Sequence, residues 1–159
     1  MSAHDRDTWL NDELSKYLSP EIAAAILSDS VVSEPPRPVS VEYFLLQFQT
    51  AEQERFKAAL AQAVVMLPGE GFVISTLFLG CIAAFRPLSN TSSRPQLDAA
   101  AKKIIAALGT SARVIYGTAT GFQGNYEIGG RFSFTTLLSN SQEALEALMS
   151  SRFGTARHL

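Results

Sequence analysis

At 159 residues the chain has the length of one domain, enough to bury about two thirds of its unfolded surface on folding. With 47% apolar and 18% charged residues and a formal net charge of −2, its composition is that of a soluble globular protein, and nothing in that balance attracts nucleic acid or an anionic membrane. No signal peptide, lipidation motif or transmembrane run is visible, and the single cysteine, Cys81, leaves no disulfide to form, which fits a reducing, cytoplasmic setting.

In chain order, residues 1–6 are polar and read as disordered. Trp9, Leu10, Leu14, Tyr17 and Leu18 make a helical stripe, and Ser19-Pro20-Glu21 restarts a helix with a hydroxyl cap, a proline in the first turn and an acid behind it. Ser28–Pro38 is a linker stiffened by Pro35, Pro36 and Pro38, so residues 1–38 form a helical lead-in and 39–159 the domain proper. Val39–Phe48 is a largely apolar strand. Thr50 and Gln53 have the spacing of a capping box for a helix whose inward face is Phe56, Leu60, Ala63, Val64 and Leu67, ending at Pro68-Gly69.

The stretch Gly71–Phe85, GFVISTLFLGCIAAF, carries no charge, yet falls short of the roughly 20 apolar residues of a membrane span. With Gly80 near its middle it reads as a β-hairpin buried on both faces in the middle of a sheet. Arg86–Pro95 is expected to be a mobile surface loop, and Gln96–Leu108 a helix facing inward through Leu97, Ala101, Ile104, Ile105 and Leu108, stopped by Gly109. Val114–Thr120 is a strand, Gly121–Gly130 supplies turns, and Phe132–Leu138 is a further strand. Asn140 and Glu143 cap a last helix, and the chain frays after Gly154. This order predicts an α+β fold: a ferredoxin-like βαββαβ antiparallel sheet with two helices on one face, an extra C-terminal hairpin arm and the helical lead-in.

Three segments, in order, resemble the class III adenylate/guanylate cyclase catalytic domain. KYLSPEIAAAILSD (16–29) is similar to the lead-in helix these domains carry before their first strand. EGFVISTLFLGCIAAF (70–85) lies without gaps on the central hairpin, and in 112–137 Arg113, Gly117, Thr120, Gly121, Gly124-Asn125, Gly129, Arg131 and Thr135 fall in places that match the family pattern. The resemblance spans most of residues 16–148 and implies a nucleotide-cyclase-like fold and a dimer whose active sites lie across the subunit interface.

The departures are in the chemistry. The family holds two metal ions on two aspartates; those positions fall at Leu45 and Leu79, and leucine does not ligate a hard cation. Shifting the first position to Glu42 or Gln47 does not restore the pair. The two residues that read the purine fall at Ser75 and Ser133, and the asparagine and arginine that serve ribose and transition state fall at Gln142 and Glu146. A glutamate there opposes the negative charge that builds up in the reaction. Both complementary residue sets are lost, so the expectation is no metal, no cofactor and no catalytic residue.

Other chemistry is weaker still. His4 and His158 stand near the ends, no phosphate loop of the GxxxxGK type exists, and the aromatic residues of 116–134 lack the interleaved basic residues of an RNA-binding sheet. Cys81 reads as a small buried hydrophobe, and Arg113 and Arg131 as exposed strand-end charges. The first reading is a catalytically silent cyclase-homology domain that dimerises, through the face around residues 113–137, or joins a protein partner in a signalling assembly. Two alternatives stay open: a small-molecule-binding domain using the degenerate pocket, and a weakly active adenylate or guanylate cyclase dependent on Glu42 or Glu70.

Overall fold

The computed structural model describes Thr8, Asp12 and residues 37–78, 80–128, 131–138 and 140–159, with side chains described outside 37, 76–78, 122–128 and 131–138. The expected lead-in and linker lie outside the described residues, except that Thr8 and Asp12 are helical. The elements are β1 (Arg37–Phe48), α1 (Gln53–Gly69), β2 (Val73–Phe78), β3 (Cys81–Pro87), α2 (Arg94–Leu108), β4 (Ala112–Ile128), β5 (Arg131–Leu138), α3 (Ser141–Ser150) and β6 (Ala156–His158). The strands form one sheet in the order β2-β3-β1-β4-β5, all antiparallel, and β6 adds in parallel to β4.

β1 is the centre of this sheet because both of its faces are apolar. Phe44, Leu46 and Phe48 point to the face covered by α1 and α2; Val41, Tyr43 and Leu45 point to the other, where α3 lies through Ala144, Ala147 and Leu148. The period of two along a strand makes that division unavoidable once the register with β3 and β4 is set. Phe44 is fully buried, edge-on to Phe72 with centroids 4.7 Å apart and stacked on Tyr116 at 5.6 Å. Burying such a ring is worth about 1.5–3 kcal/mol.

The two crossover helices share a face, as the element order predicts, while α3 covers the opposite one. The apolar hairpin is real but not central: β2 is the edge strand of the sheet. An uncharged run reads as central from composition alone, whereas here a bulge between Ile74 and Thr76 interrupts the pairing of that edge strand. The glycine-rich stretch expected to turn runs straight on as strand, because β5 pairs with it from Gly121 opposite Leu138 to Ile128 opposite Arg131. That hairpin is the predicted arm. The expected fray after Gly154 is instead β6, held by the Val114 amide on the Thr155 carbonyl (3.0 Å) and the Leu159 amide on the Tyr116 carbonyl (2.9 Å).

Helix ends differ from expectation in detail. Glu52, not Thr50, is the N-cap of α1, with no side-chain cap bond, and Val64 is 40% exposed rather than facing in. α2 starts two residues early because Ser93 caps it, accepting from the Gln96 amide, while Gly109 ends it at φ +55°. The loop before α2 is pinned, with the Ser89 amide donating to the Ser92 hydroxyl (3.0 Å) and the Ser92 amide to the Ser89 carbonyl (3.1 Å). Asn140 occupies the cap position of α3 without capping it; its amide donates to the Tyr43 hydroxyl at 3.4 Å.

Tyr116 ties α2 to β4 by donating its hydroxyl to Asp98 Oδ1 at 2.8 Å. Burial and that carboxylate push the phenol up to about 12 from its ordinary 10. The folded chain therefore holds this proton more tightly than the unfolded chain. Its contribution to stability is complete below pH 10 and is lost as pH climbs from 10 to 12. Denaturant titrations at pH 9 and pH 12 should show this loss, and Tyr116→Phe should flatten that part of the profile.

Candidate functional site

The first of the two positions that the resemblance assigns to a metal ligand is Leu45. It stands on β1 opposite Ala83 of β3 and Ile115 of β4, 9% exposed, in a cluster with Val41, Tyr43 and Phe85 that α3 covers. The second, Leu79, lies outside the described residues, but its neighbour Gly80 is fixed. The Phe48 amide donates to the Gly80 carbonyl at 2.8 Å, which sets the β2–β3 turn beside the end of β1. Gly80 has φ +76°, and a Cβ there would come within 3.0 Å of the Thr50 methyl, so the turn demands glycine for both conformation and space.

The other family positions scatter. Ser75 is half-buried at the β2 bulge, its hydroxyl 3.5 Å from the Ala83 carbonyl. Ser133 sits on β5 opposite Tyr126 of β4. Gln142 and Glu146 share the exposed side of α3, one turn apart, where the Gln142 amide donates to Glu146 Oε1 at 3.1 Å. The pair leaves a negative charge on the surface at the position to which the resemblance assigns a cation. The two alternative acids are also engaged. Glu42 faces the α1–α2 side of the sheet, away from Leu45, and is ion-paired to Arg86 at 2.6 Å; Glu70 is paired to Lys103 at 2.7 Å. Among the described residues no group of three or more His, Cys, Asp or Glu side chains could hold a metal.

The structure corrects the reading of Arg113. It is a half-buried latch: its Nε donates to Gln47 Oε1 at 2.7 Å, and its Nη1 donates to the carbonyls of Met149 (3.0 Å) and Ser151 (2.9 Å). Its guanidinium also stacks over Phe153, 4.7 Å from the ring centroid. These are the last carbonyls of α3, where a cation is favoured by unsatisfied acceptors and by the helix dipole. Gln47 is opposite Arg113 on one side and Cys81 on the other, so the three form a row across β3, β1 and β4. Burial pushes the Cys81 thiol up, against a smaller opposing effect of Arg113, which keeps it protonated at neutral pH and poor as a nucleophile. Sequence reasoning missed the Arg113 latch because its partners lie 36 to 66 residues away. Only the β1–β4 register reveals them.

Phosphate chemistry finds little support at the start of α1, beside this region. The cap residue is Glu52 and the first turn carries Glu54, both of which repel an anion from the helix N-terminus. The nearby cation, Arg55, is spent on the hydroxyls of Ser111 and Thr110. No helix among the described residues is long and apolar enough to cross a membrane.

No protein-family sequence model matches the chain, and no curated protein matches it in sequence. Solved structures do match its fold. A bacterial light-regulated adenylyl cyclase superposes with a TM-score of 0.68 at 12% identity, over 91% of this chain and 50% of its own length. The present chain thus spans half of that protein. The adenylyl cyclase CyaB from P. aeruginosa gives a TM-score of 0.62 at 14% identity, over 79% of each chain. The non-canonical dimeric guanylyl cyclase domain of the RhoGC fusion protein from the aquatic fungus Blastocladiella emersonii gives 0.58 at 10% identity, over 77% of this chain and 80% of that one. Sheet order, crossover helices and projecting hairpin together give this chain the fold of the class III adenylyl and guanylyl cyclase catalytic domain.

Proposed function

We propose that the chain is a catalytically silent cyclase-homology domain that works by association, as a homodimer or with a protein partner in a cytoplasmic signalling assembly. The observation that carries this reading is the environment of Leu45: a position that must present a carboxylate to a metal is packed between Ala83 and Ile115 beneath α3. The mutual hydrogen bond of Gln142 and Glu146 points the same way. Beside that pair, Leu145 and Met149 stand 55% and 62% exposed, so the surface of α3 offers apolar area for a partner where the enzymes would present polar transition-state groups. One of the structural neighbours is itself a dimeric cyclase domain. The engagement of Glu42 and Glu70 in ion pairs argues against residual activity that uses either as a metal ligand.

Purified protein incubated with ATP or GTP and Mn²⁺ should give no cyclic nucleotide, and sedimentation at tens of micromolar should give a dimer. Turnover would refute silence. A monomer with no partner-dependent shift would refute association by self-pairing.

A further inference from the structure

A buried ion pair stands on the opposite face of the sheet from Leu45. Glu42 is 1% exposed in the middle of β1, and its carboxylate holds the Arg86 Nε at 2.7 Å and Nη2 at 2.6 Å. Arg86 also lies over Phe72, 4.3 Å from the ring centroid, and donates its Nη1 to the Glu70 carbonyl at 2.6 Å. Burying such a pair costs desolvation that an apolar pair of similar size would not incur, so its presence asks for a use. A guanidinium has five N–H groups, and these three contacts leave two of them for another acceptor.

Arg86 borders a cavity of about 330 Å³ between α2, the end of α1 and the end of β3. Its lining is Arg86, Lys103, Gln96 and Glu70 around an apolar floor of Ala99 and Ala100. Lys103 spends one of three N–H groups on Glu70, at 2.7 Å. Arg86 is balanced by Glu42 behind it and Lys103 by Glu70, so the cluster is neutral and offers an anion hydrogen-bond donors rather than net charge, and the size falls at the small end of ligand pockets.

We propose that this cavity is a binding site for a small organic monocarboxylate, held by Arg86 and Lys103 with its apolar part on Ala99 and Ala100. Glu42 fixes the guanidinium plane and the Phe72 ring supports it, so the cation is oriented before the ligand arrives. Glu70 discriminates against anions of higher charge, since a phosphate dianion would meet its carboxylate with no net positive charge in the cluster to balance it. The site is independent of the silent-cyclase reading, because the family positions Leu45, Gln142 and Glu146 stand on β1's other face or on α3.

Amide chemical shifts of the full chain should be followed during titration with sodium propionate, with sodium chloride and inorganic phosphate as parallel titrations at constant ionic strength. Propionate should shift the amides of Ala99, Ala100 and Lys103 saturably, phosphate and chloride should not, and Lys103→Ala should weaken the effect at least tenfold. Lys103 is 66% exposed, so that variant should keep the parent melting temperature. Shifts that never saturate, that saturate elsewhere, that phosphate reproduces, or that survive Lys103→Ala would each overturn the assignment. If Lys103→Ala fails to fold, Gln96→Ala on the same rim takes its place and should also weaken binding. An unchanged titration in that variant would again overturn the proposal.

Discussion

Arg86→Ala should destabilise the fold by about 3–5 kcal/mol, the range for stripping one partner from a buried ion pair. Glu42, with 2% of its side chain exposed, would be left charged and without its counter-ion on the face that α1 and α2 cover. Loss of the guanidinium also removes the stacking on Phe72 and the donor to the Glu70 carbonyl that ends α1. Glu42→Ala should cost less, since Arg86 is 28% exposed and can turn toward water. The double variant Glu42→Leu/Arg86→Met should recover most of the loss, because it removes both charges and keeps volume. Chemical denaturation of the three variants measures this. A double variant no more stable than Arg86→Ala would mean that the ion pair holds the fold together rather than merely tolerating its burial.

How much of this was legible in the sequence follows from the range of each signal. Alternating and helical apolar periodicities placed β1, α1, α2 and α3 within a few residues, and their order was enough for the sheet. Strand position was harder. The uncharged run 71–85 looked central, but being central depends on neighbours: β1, which carries a glutamate at position 42, has strands on both sides, and β2 has one. Likewise Gly121, Gly124 and the polar residues between them signal turns locally, and only pairing with β5 keeps them extended. The tail had no pattern of its own and is ordered by the free edge of β4. The site followed the same rule. The resemblance could name Leu45, Gln142 and Glu146 as positions to inspect, whereas Glu42–Arg86 and Arg113–Gln47 join residues 44 and 66 positions apart and left no local signal.

Leu45→Asp restores the residue type that the resemblance requires at the first metal position, and its expected outcome is loss of stability without gain of chemistry. The new carboxylate would stand between Ala83 and Ile115, in an apolar cluster with Ala144, Ala147 and Leu148. Burying an unpaired charge and removing a packed leucine each cost several kcal/mol by general experience, so a net loss of more than about 3 kcal/mol is expected. The protein can lower that cost by protonating the carboxyl, so the penalty should grow as pH rises through the carboxylate range. In an active cyclase the same carboxylate is stabilised by a metal, which makes divalent ions the decisive control. If the site has lost only its ligand, Mn²⁺ should raise the melting temperature of Leu45→Asp and not of the parent. If the surroundings have been refilled with apolar side chains, Mn²⁺ should leave both unchanged, and cyclic product should stay undetectable. The second result is the one expected, because the Leu45 face is closed by α3 rather than open to solvent. Metal-dependent stabilisation would mean that only a short evolutionary step separates this fold from an enzyme, and would reopen the question of catalysis in a complex with an intact partner.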